Sequence, residues 1–454
     1  MIRVQTKHPI YVRLRNALTQ RAAVRAATIN GLWLLTDKGI RLVGGLFVGM
    51  WVARYMAPNN FGLFNTLVAI NGLAVTIGFL GIETSLVRYF IKYPNHEFLI
   101  LGTAVQLRLM ASGVAALAVC AIPFFVQFPS LSRWTWFVIA GTLPINSFSI
   151  IRQWFESRVA SKYVVMAELA AFLISTLLKI IGVVFHFRVG WFVGVVVMEA
   201  LFGLIAYGTM YLRQRTPIPW RFSGRLALVL LRQSWPLFLG AFAVIVYMKI
   251  DQVMVLSLAG SHAAGIYAAA ARVSELTYFL PLIVFSSIFP AMTTLRKTNF
   301  NGYISKLQML LSAMTLSAYA GGLLLTLCAS FVISVLYGPE YADAAIILSV
   351  HIWALIWICQ GLIGHIYILN EKLTRYALIK DAISAGINIL LNLILIPRCG
   401  GLGAAIATFI AYSFAAFWGN ALFPPLRPLF RLQLDSLRLK GLYTKLKELP
   451  ANER

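Results

Sequence analysis

The sequence predicts an all-α, polytopic membrane protein with about twelve transmembrane helices. Of its 454 residues, 60% are hydrophobic and only 12% are charged, and the mean hydropathy is +0.80, which is far too apolar for a soluble domain. Apolar runs of about 20 residues, enough to cross a bilayer as a helix, recur along the whole chain. They lack the alternation of apolar and polar residues that strands of a membrane β-barrel show.

Each predicted helix corresponds to one apolar run. In chain order, the runs cover residues 31–53, 61–82, 99–126, 134–151, 164–185, 191–211, 234–257, 264–290, 306–336, 344–369, 376–396 and 402–422. Tryptophan favours the membrane interface, and Trp51 and Trp191 lie at one end of their runs while Trp154 and Trp235 lie at the other. The aromatic residues therefore agree with this placement.

The basic residues indicate how the helices are oriented. Of the 39 lysines and arginines, 28 lie in the terminal segments and in every second connection, whereas the opposite connections hold only Arg54, Arg133, Arg188 and Arg398. By the positive-inside rule, the side with the larger number is cytoplasmic, so both termini are predicted in the cytoplasm. The net charge of +24 reflects this topology and a cationic interior, and it does not indicate a nucleic-acid partner.

The spans define the predicted domain organisation. It consists of a basic cytoplasmic N-terminal segment (1–30), a first six-helix bundle (31–212), a basic cytoplasmic linker (213–233), a second six-helix bundle (234–422) and a basic cytoplasmic C-terminal tail (423–454).

The two bundles share a short motif. Phe61–Phe64 (FGLF) opens the second predicted helix, and 203 residues later Ala264–Tyr267 (AGIY) opens the eighth helix in the same direction. Six helices separate the two motifs, so both halves have the same orientation in the membrane. We interpret the chain as a duplication whose halves are related by an axis along the membrane normal, as in parallel-repeat transporters.

Charged residues lie deep inside several of the apolar runs. A charge near the bilayer centre costs about 2.5–3.5 kcal/mol on insertion scales, so such residues usually face a water-filled cavity or an opposite charge. Two neighbouring helices carry Lys249 and Asp251, and Arg272 and Glu275. This pattern predicts a transporter of a polar solute. Seven cations lie within the predicted helices: Lys38, Arg41, Arg108, Lys179, Lys249, Arg272 and Lys380.

The sequence shows no signature of covalent chemistry. None of its four cysteines has the CxxC spacing of a metal site. His96 and Glu97 lack the second histidine of a zinc-protease helix, and Gly400–Gly403 lacks the lysine of a phosphate loop. We therefore expect neither a cofactor nor a metal ion, and a protein that is not an enzyme.

Ordered motifs over most of the chain match one family. Residues 53–65 (ARYMAPNNFGLFN) and 81–88 (GIETSLVR) resemble the connection after the first helix and the end of the second helix in bacterial polysaccharide flippases (O-antigen, Wzx-type). These flippases belong to the multidrug/oligosaccharidyl-lipid/polysaccharide (MOP) exporter superfamily. Residues 249–252 (KIDQ), 272–275 (RVSE) and 337–341 (YGPEY) resemble later helices of the same family. One departure is Ala57, where the family often has glycine.

The resemblance implies a MATE-like fold, in which two six-helix bundles form a V around a central cavity that opens alternately to each side of the bacterial inner membrane. The implied substrate is an undecaprenyl-diphosphate-linked oligosaccharide, flipped outward for the synthesis of O-antigen of lipopolysaccharide, of exopolysaccharide or of capsule. The expected partners are this substrate, membrane lipids, a polysaccharide polymerase and a chain-length regulator, and the protein is expected to act as a monomer.

A lipid-linked oligosaccharide needs a hydrated cavity with cations for its diphosphate. Arginine suits this task because its planar guanidinium binds phosphate oxygens in pairs and stays protonated. We predict that Arg41 and Arg272, near mid-depth in corresponding halves, hold the diphosphate, and that Lys38, Lys179 and Lys249 add positive potential. The alternative is that neighbouring carboxylates neutralise these cations.

Three carboxylates, Asp37, Asp251 and Glu275, are candidates for coupling transport to an ion gradient. Protonation of a carboxylate in a cavity of low dielectric can follow a proton gradient and bias an alternating-access equilibrium. Their alternative role is that of plain ion-pair partners.

The predicted cytoplasmic mouth carries a second group of charges, Glu83, Arg88, Arg152 and Glu156. These residues are candidates for a gate of ion pairs that break when the cytoplasmic side opens. A solvated loop is the alternative interpretation.

Two other functions are compatible with a polytopic chain. A MATE-like exporter of small molecules would share the architecture, but an exporter of cationic drugs would have an acidic cavity. A membrane glycosyltransferase or polysaccharide polymerase would use the same lipid-linked substrate, but it would be expected to carry catalytic residues on a sizeable outward loop, and the predicted outward connections are short.

Overall fold

The computed structural model describes residues 9–125, 132–158, 160–214 and 220–439. Every regular element in these ranges is helical, which confirms the predicted all-α class. A segment that crosses a bilayer adopts a helix because a helix satisfies its backbone hydrogen bonds within that one segment.

Seventeen α-helices, labelled α1 to α17, make up most of the described chain. They are α1 (Pro9–Phe79), α2 (Glu83–Lys92), α3 (Glu97–Phe125), α4 (Arg133–Ala140), α5 (Thr142–Asn146), α6 (Ile151–Ser157), α7 (Ser161–Val184), α8 (Val189–Gln214), α9 (Gly224–Leu276), α10 (Phe279–Thr298), α11 (Phe300–Leu327), α12 (Ala329–Tyr337), α13 (Ala344–His351), α14 (Ala354–Asn370), α15 (Thr374–Ser413), α16 (Gly419–Leu422) and α17 (Arg427–Leu437). Short turns of 3-10 helix and a π-helical turn, Phe414–Trp418, join some of them.

The described residues contain nine runs that are long and apolar enough to cross a membrane. Three of these runs are at least twice the length of about 20 residues that one crossing needs. Each of the three is interrupted by a residue with non-helical backbone: Ala57, Gly260 or Gly400. Dividing the three runs at these residues gives twelve crossings, in agreement with the number that the sequence predicts.

Several predicted helices differ from the observed ones, among them 264–290, which is divided between α9 and α10, and 344–369, which is divided between α13 and α14. The predicted helix 134–151 is divided into α4, α5, a 3-10 turn and α6, and Pro144 in this region has no N–H to donate to a helical ladder. The predicted helix 306–336 is interrupted at Cys328, whose φ and ψ are −93° and 4°. The first helix is longer than predicted, because α1 begins at Pro9 and not at residue 31.

Two of the helix breaks occupy equivalent positions in the two halves. Ala57 has φ 56° and ψ 167°, and Gly260 has φ 87° and ψ 176°. The two residues are 203 positions apart, the same separation as that of the FGLF and AGIY motifs. Glycine adopts positive φ at little cost, but another residue held there stores about 1–3 kcal/mol of strain. Ala57, which stands where the resembling family often has glycine, is therefore a strained position.

A seam of backbone contacts joins the two halves beside these breaks. A Cβ added at Gly62 would overlap the Ser261 carbonyl oxygen and the Gly265 nitrogen, and one added at Gly265 would overlap the backbone of Pro58. The approach of the two backbones therefore requires glycine at both positions. We call these four residues the glycine seam, and the end of the molecule where they lie the kinked end.

Polar contacts close the kinked end further. Arg54 of the first half donates from Nε to the Leu336 carbonyl oxygen at 2.9 Å and from Nη2 to that of Val335. Tyr341 donates its hydroxyl to the Ala53 carbonyl oxygen at 2.7 Å. Burial raises the pKa of Tyr341, so its hydroxyl stays protonated and keeps this donor.

Each half also has a hydrophobic core of its own. Leu86 and Trp154 belong to a core in the first half, and Leu307 and Ile363 belong to one in the second half. The segment that follows each half packs back onto that half. The start of α9 packs onto the first half through Leu230, and the C-terminal part packs onto the second half through Leu426 and Leu429. The domain boundaries at residues 212 and 234 stay a prediction.

Replacing Gly62 with valine is expected to hold the kinked end open, because the added side chain would overlap backbone atoms of the other half. The proximity of Asn59 and Ser261 shows whether the glycine seam is closed, since the Ser261 hydroxyl donates to Asn59 Oδ1 at 3.1 Å. In a chain without its four native cysteines, oxidative cross-linking between Asn59→Cys and Ser261→Cys should fall severalfold when Gly62→Val is added. Gly49→Val is the matched control, because a Cβ there meets nothing within 4 Å. Equal cross-linking in both variants would contradict the seam.

Candidate functional site

A cavity of about 990 Å³ lies inside the first half. Helices α1, α2, α5, α6, α7 and α8 contribute to its walls, together with the turn before α6. We call it the first-half cavity. Its charged lining residues are Arg41, Glu83, Arg88, Arg152, Glu156, Glu168 and Glu199. A space with this lining among apolar helices offers a hydrated path for a polar solute.

Glu168 of α7 is the most connected carboxylate of the first-half cavity. It accepts a hydrogen bond from Arg41 Nη2 at 3.2 Å on one oxygen and from Arg152 Nη1 at 2.9 Å on the other. The hydroxyl of Tyr207 donates to the second oxygen as well. Four helices, α1, α6, α7 and α8, thus meet at one carboxylate.

Glu83 of α2 pairs with a buried cation that the cavity does not expose. Arg108 of α3 has a side chain that is 0% exposed, and its Nη2 donates to Glu83 Oε1 at 2.8 Å, whereas the Glu83 side chain is 43% exposed. The guanidinium also donates to Ser149 at 3.2 Å and lies 4.2 Å from the centroid of the Phe79 ring. Arg108 therefore holds Glu83 in place from the side away from the cavity, while the Glu83 carboxylate faces the cavity.

The other carboxylates of the first-half cavity are paired too. Glu156 accepts from Arg152 Nε at 2.7 Å, and Glu199 lies 3.4 Å from the amino group of Lys179. Arg88 is exposed and forms no ion pair with any residue in the described ranges. The cavity wall thus carries three arginines and four glutamates, and two of these glutamates are paired with Arg108 and Lys179, which do not line the cavity.

A smaller cavity of about 240 Å³ lies between α1 and α9. Lys249 donates to both oxygens of Glu275, at 2.9 and 3.0 Å. Arg272 also lines this cavity; it is exposed and has no hydrogen bond or ion pair to another part of the described chain. We call this space the interhalf cavity, because Asn65 and Gly72 of the first half line its other wall.

Asp251 lies beside the interhalf cavity but is held by neutral donors. It is 3% exposed, and it accepts from the hydroxyl of Tyr267, from Thr408 Oγ1 at 3.1 Å and from the Gln252 N–H at 2.7 Å. These groups belong to α9, on both sides of its break at Gly260, and to α15. A buried carboxylate without a cation in contact is costly unless several donors satisfy it.

The structure brings the predicted site residues together only in part. Arg41, Glu83, Arg88, Arg152 and Glu156 line the first-half cavity, whereas Lys249, Asp251, Arg272 and Glu275 line the interhalf cavity. Arg41 and Arg272 thus belong to separate cavities. The side chains of Asp37 and Lys38 lie outside the described part of the chain. Glu83 pairs with Arg108 and not with Arg88, and Glu275 pairs with Lys249 and not with Arg272.

Sequence reasoning missed Glu168, Glu199, Tyr207 and Thr408. The two glutamates lie inside apolar helices that themselves predict membrane crossings, so the rule that identified Lys179 applies to them equally. Tyr207 and Thr408 carry no such signal, because hydroxyl groups are common in membrane helices and usually serve helix packing.

Comparison with known proteins identifies the family and the fold. A family model described as polysaccharide biosynthesis protein matches residues 28–296. No curated protein matches the sequence.

Among solved structures, the lipid II flippase MurJ in an inward closed conformation is similar over 93% of this chain and 94% of its own, with 14% identity and a TM-score of 0.67. An inward-facing multidrug resistance MATE family transporter of the MOP superfamily is similar over 86% of this chain and 95% of its own, with 14% identity and a TM-score of 0.61. A MOP superfamily transporter from Pyrococcus furiosus is similar over 88% of this chain and 96% of its own, with 13% identity and a TM-score of 0.59. The MATE-like fold is thereby confirmed; the cytoplasmic position of the termini stays a prediction.

The buried Arg108 predicts an asymmetric response to mutation. Glu83→Ala should lower the stability by about 3 kcal/mol, the lower end for a broken buried ion pair, because it leaves a buried guanidinium without its carboxylate. Arg108→Met should cost less, since the exposed Glu83 can be hydrated. Thermal unfolding of the purified protein in detergent would measure both. The double variant Glu83→Ala/Arg108→Met should be more stable than Glu83→Ala, and the opposite order would rule out this account of the pair.

Proposed function

This chain belongs to the polysaccharide biosynthesis protein family, within the MOP superfamily of membrane transporters, and on that premise we propose that it flips undecaprenyl-diphosphate-linked oligosaccharide from the cytoplasmic to the outer leaflet. Its apolar crossings and its family make it a multi-pass protein of the inner membrane. The oligosaccharide would serve the synthesis of O-antigen, exopolysaccharide or capsule.

The observation that carries this proposal is the first-half cavity with three arginines in its wall. A diphosphate and a sugar head group cannot enter hydrocarbon, so their carrier must offer water and cations inside the membrane. Guanidinium groups bind phosphate oxygens through paired N–H donors and keep their charge at any physiological pH. A cavity of about 990 Å³ is large enough for a diphosphate with adjoining sugar residues.

In this proposal Arg41 and Arg152 hold the diphosphate, and Arg88, which has no ion-pair partner among the described residues, attracts it at the mouth. Lys179 adds positive potential behind Glu199. Arg272 and Lys249 then act from the interhalf cavity, on the path between the halves.

The closed kinked end supports transport by alternating access. The glycine seam and the Arg54 contacts join the halves at that end, while the first-half cavity is lined at the other end by Arg88 and Glu156. We infer that the end with Arg88 and Glu156 faces the cytoplasm and that the structure represents an inward-facing state. The pairs of Arg152 with Glu156 and Glu168 are the proposed cytoplasmic gate.

Asp251 is the proposed coupling residue. Its oxygens are bound by groups from both arms of α9 and from α15, so adding a proton would change contacts among three crossings at once. Glu275, which has Lys249 as a counter-ion, is better suited to a structural ion pair.

The remaining roles follow from the same proposal. The protein works as a monomer beside a polysaccharide polymerase and a chain-length regulator, with membrane lipids around it, and it performs no covalent chemistry. Export of a small molecule is the competing function, since MATE transporters share the fold. Because every glutamate of the first-half cavity is paired and Arg88 forms no ion pair among the described residues, we expect an anionic substrate.

Arg41→Gln should abolish export and leave protein abundance normal, because it removes a proposed diphosphate ligand. In host cells depleted of the native protein, a membrane-impermeant sugar label on intact spheroplasts would measure the outward-facing lipid-linked oligosaccharide. Arg88→Gln should reduce the label severalfold. Lys92→Gln is the matched control, since Lys92 is an exposed cation one turn away on α2 that is not a cavity residue. Outward-facing but unpolymerised oligosaccharide in the depleted cells would favour a polymerase instead.

Asp251→Asn should make transport insensitive to a proton gradient, because an amide side chain neither gains nor loses a proton at physiological pH. The measurement is flipping of the lipid-linked oligosaccharide in proteoliposomes with and without an imposed gradient. Asp343→Asn, at an exposed carboxylate, should behave as the wild type. A wild-type rate that ignores the gradient would disprove proton coupling.

A further inference from the structure

The carboxylate of Glu168 occupies the space between two arginines to which the proposed diphosphate has to bind. One of its oxygens accepts from Arg41 at 3.2 Å, and the other accepts from Arg152 at 2.9 Å and from the hydroxyl of Tyr207. Both oxygens are therefore engaged, and the arginines cannot offer the same N–H donors to another anion while these contacts last.

The exposure of the three charged groups indicates which of them can change partners. The side chain of Glu168 is 17% exposed, whereas those of Arg41 and Arg152 are 30% and 36% exposed. The guanidinium groups thus keep access to the first-half cavity while the carboxylate is the more enclosed group. Tyr207, which is buried, provides Glu168 with a donor that belongs to no cation.

Two like charges directed at one point repel each other unless an anion separates them. Glu168 supplies that anion in the empty protein and so keeps Arg41 and Arg152 at one place, although they belong to different helices. A diphosphate carries more negative charge and more acceptor oxygens than a carboxylate, and guanidinium groups bind both in the same paired geometry. Partly hydrated ion pairs are weak, so such an exchange is energetically accessible.

Resting on the proposed function, we propose that Glu168 is an exchangeable counter-ion that holds Arg41 and Arg152 together in the empty carrier and yields both to the substrate diphosphate. Tyr207 retains the displaced carboxylate nearby, and the return of Glu168 to the arginines then expels the diphosphate when the carrier releases its cargo. Glu168 is in this sense a positioning residue that also competes with the substrate.

The first-half cavity contains a matched control for this proposal. Glu199 lines the same cavity, but its partner is Lys179, at 3.4 Å. Glu168→Gln and Glu199→Gln remove the same charge from the same cavity, so any general electrostatic gain in anion binding is common to both. Only Glu168→Gln removes the carboxylate that Arg41 and Arg152 share, and the pair of Arg152 with Glu156 is the same in both variants.

The experiment measures binding of inorganic diphosphate to the full chain in lipid nanodiscs by isothermal titration calorimetry. We expect Glu168→Gln to lower the Kd roughly two- to tenfold more than Glu199→Gln does, the range expected when partly exposed ion pairs no longer compete. In the spheroplast assay, Glu168→Gln should nevertheless export less oligosaccharide than the wild type, because release is impaired. Glu168→Asp, which keeps the charge, should restore part of the export.

Other results would overturn the proposal in distinguishable ways. If Glu168→Gln weakens diphosphate binding, or changes it only as much as Glu199→Gln does, then Glu168 is a structural partner and this inference fails while the flippase function stands. If neither the wild type nor any variant binds diphosphate, or if Arg41→Gln leaves binding unchanged, then the proposed function fails together with this inference.

Discussion

Ion pairing inside apolar helices constrains the arrangement of the first half. A charge in a membrane helix is tolerated where water or an opposite charge meets it. Glu83 therefore needs α3 for Arg108, Glu199 needs α7 for Lys179, and Glu168 needs both α1 and α6 for its two arginines. These requirements fix the helices around a hydrated space, so the cavity follows from the placement of the charges.

Pairing also separates the cations that build the cavity from those that are free to act. Arg108 is enclosed and serves Glu83, and Lys249 is committed to Glu275. Arg88 and Arg272 are exposed and have no ion-pair partner in the ranges that the structure describes. A count of mid-membrane cations overstates the positive charge available to a substrate, because most of that charge is already neutralised.

The fold could be predicted from the sequence because helix length and hydrophobicity depend on local composition. The pairings could not, because they join residues far apart in the chain: Arg41 and Glu168 are separated by 127 positions, and Arg54 and Leu336 by 282. The break at Ala57 was also hidden, since an alanine gives no sign of positive φ. Its partner Gly260 could have revealed it, because the two residues have the same 203-residue separation as the repeated motif.

Under the proposed function, the glycine seam bears on which glycans can leave. Side chains are absent from its closest contacts, so what separates when the seam parts is backbone, including the carbonyl groups of Pro58 and Ser261. Peptide carbonyls accept hydrogen bonds from any hydroxyl, and they do not distinguish one sugar ring from another. Under the proposed function, the closest contacts of the seam would therefore not select among repeat units of differing composition.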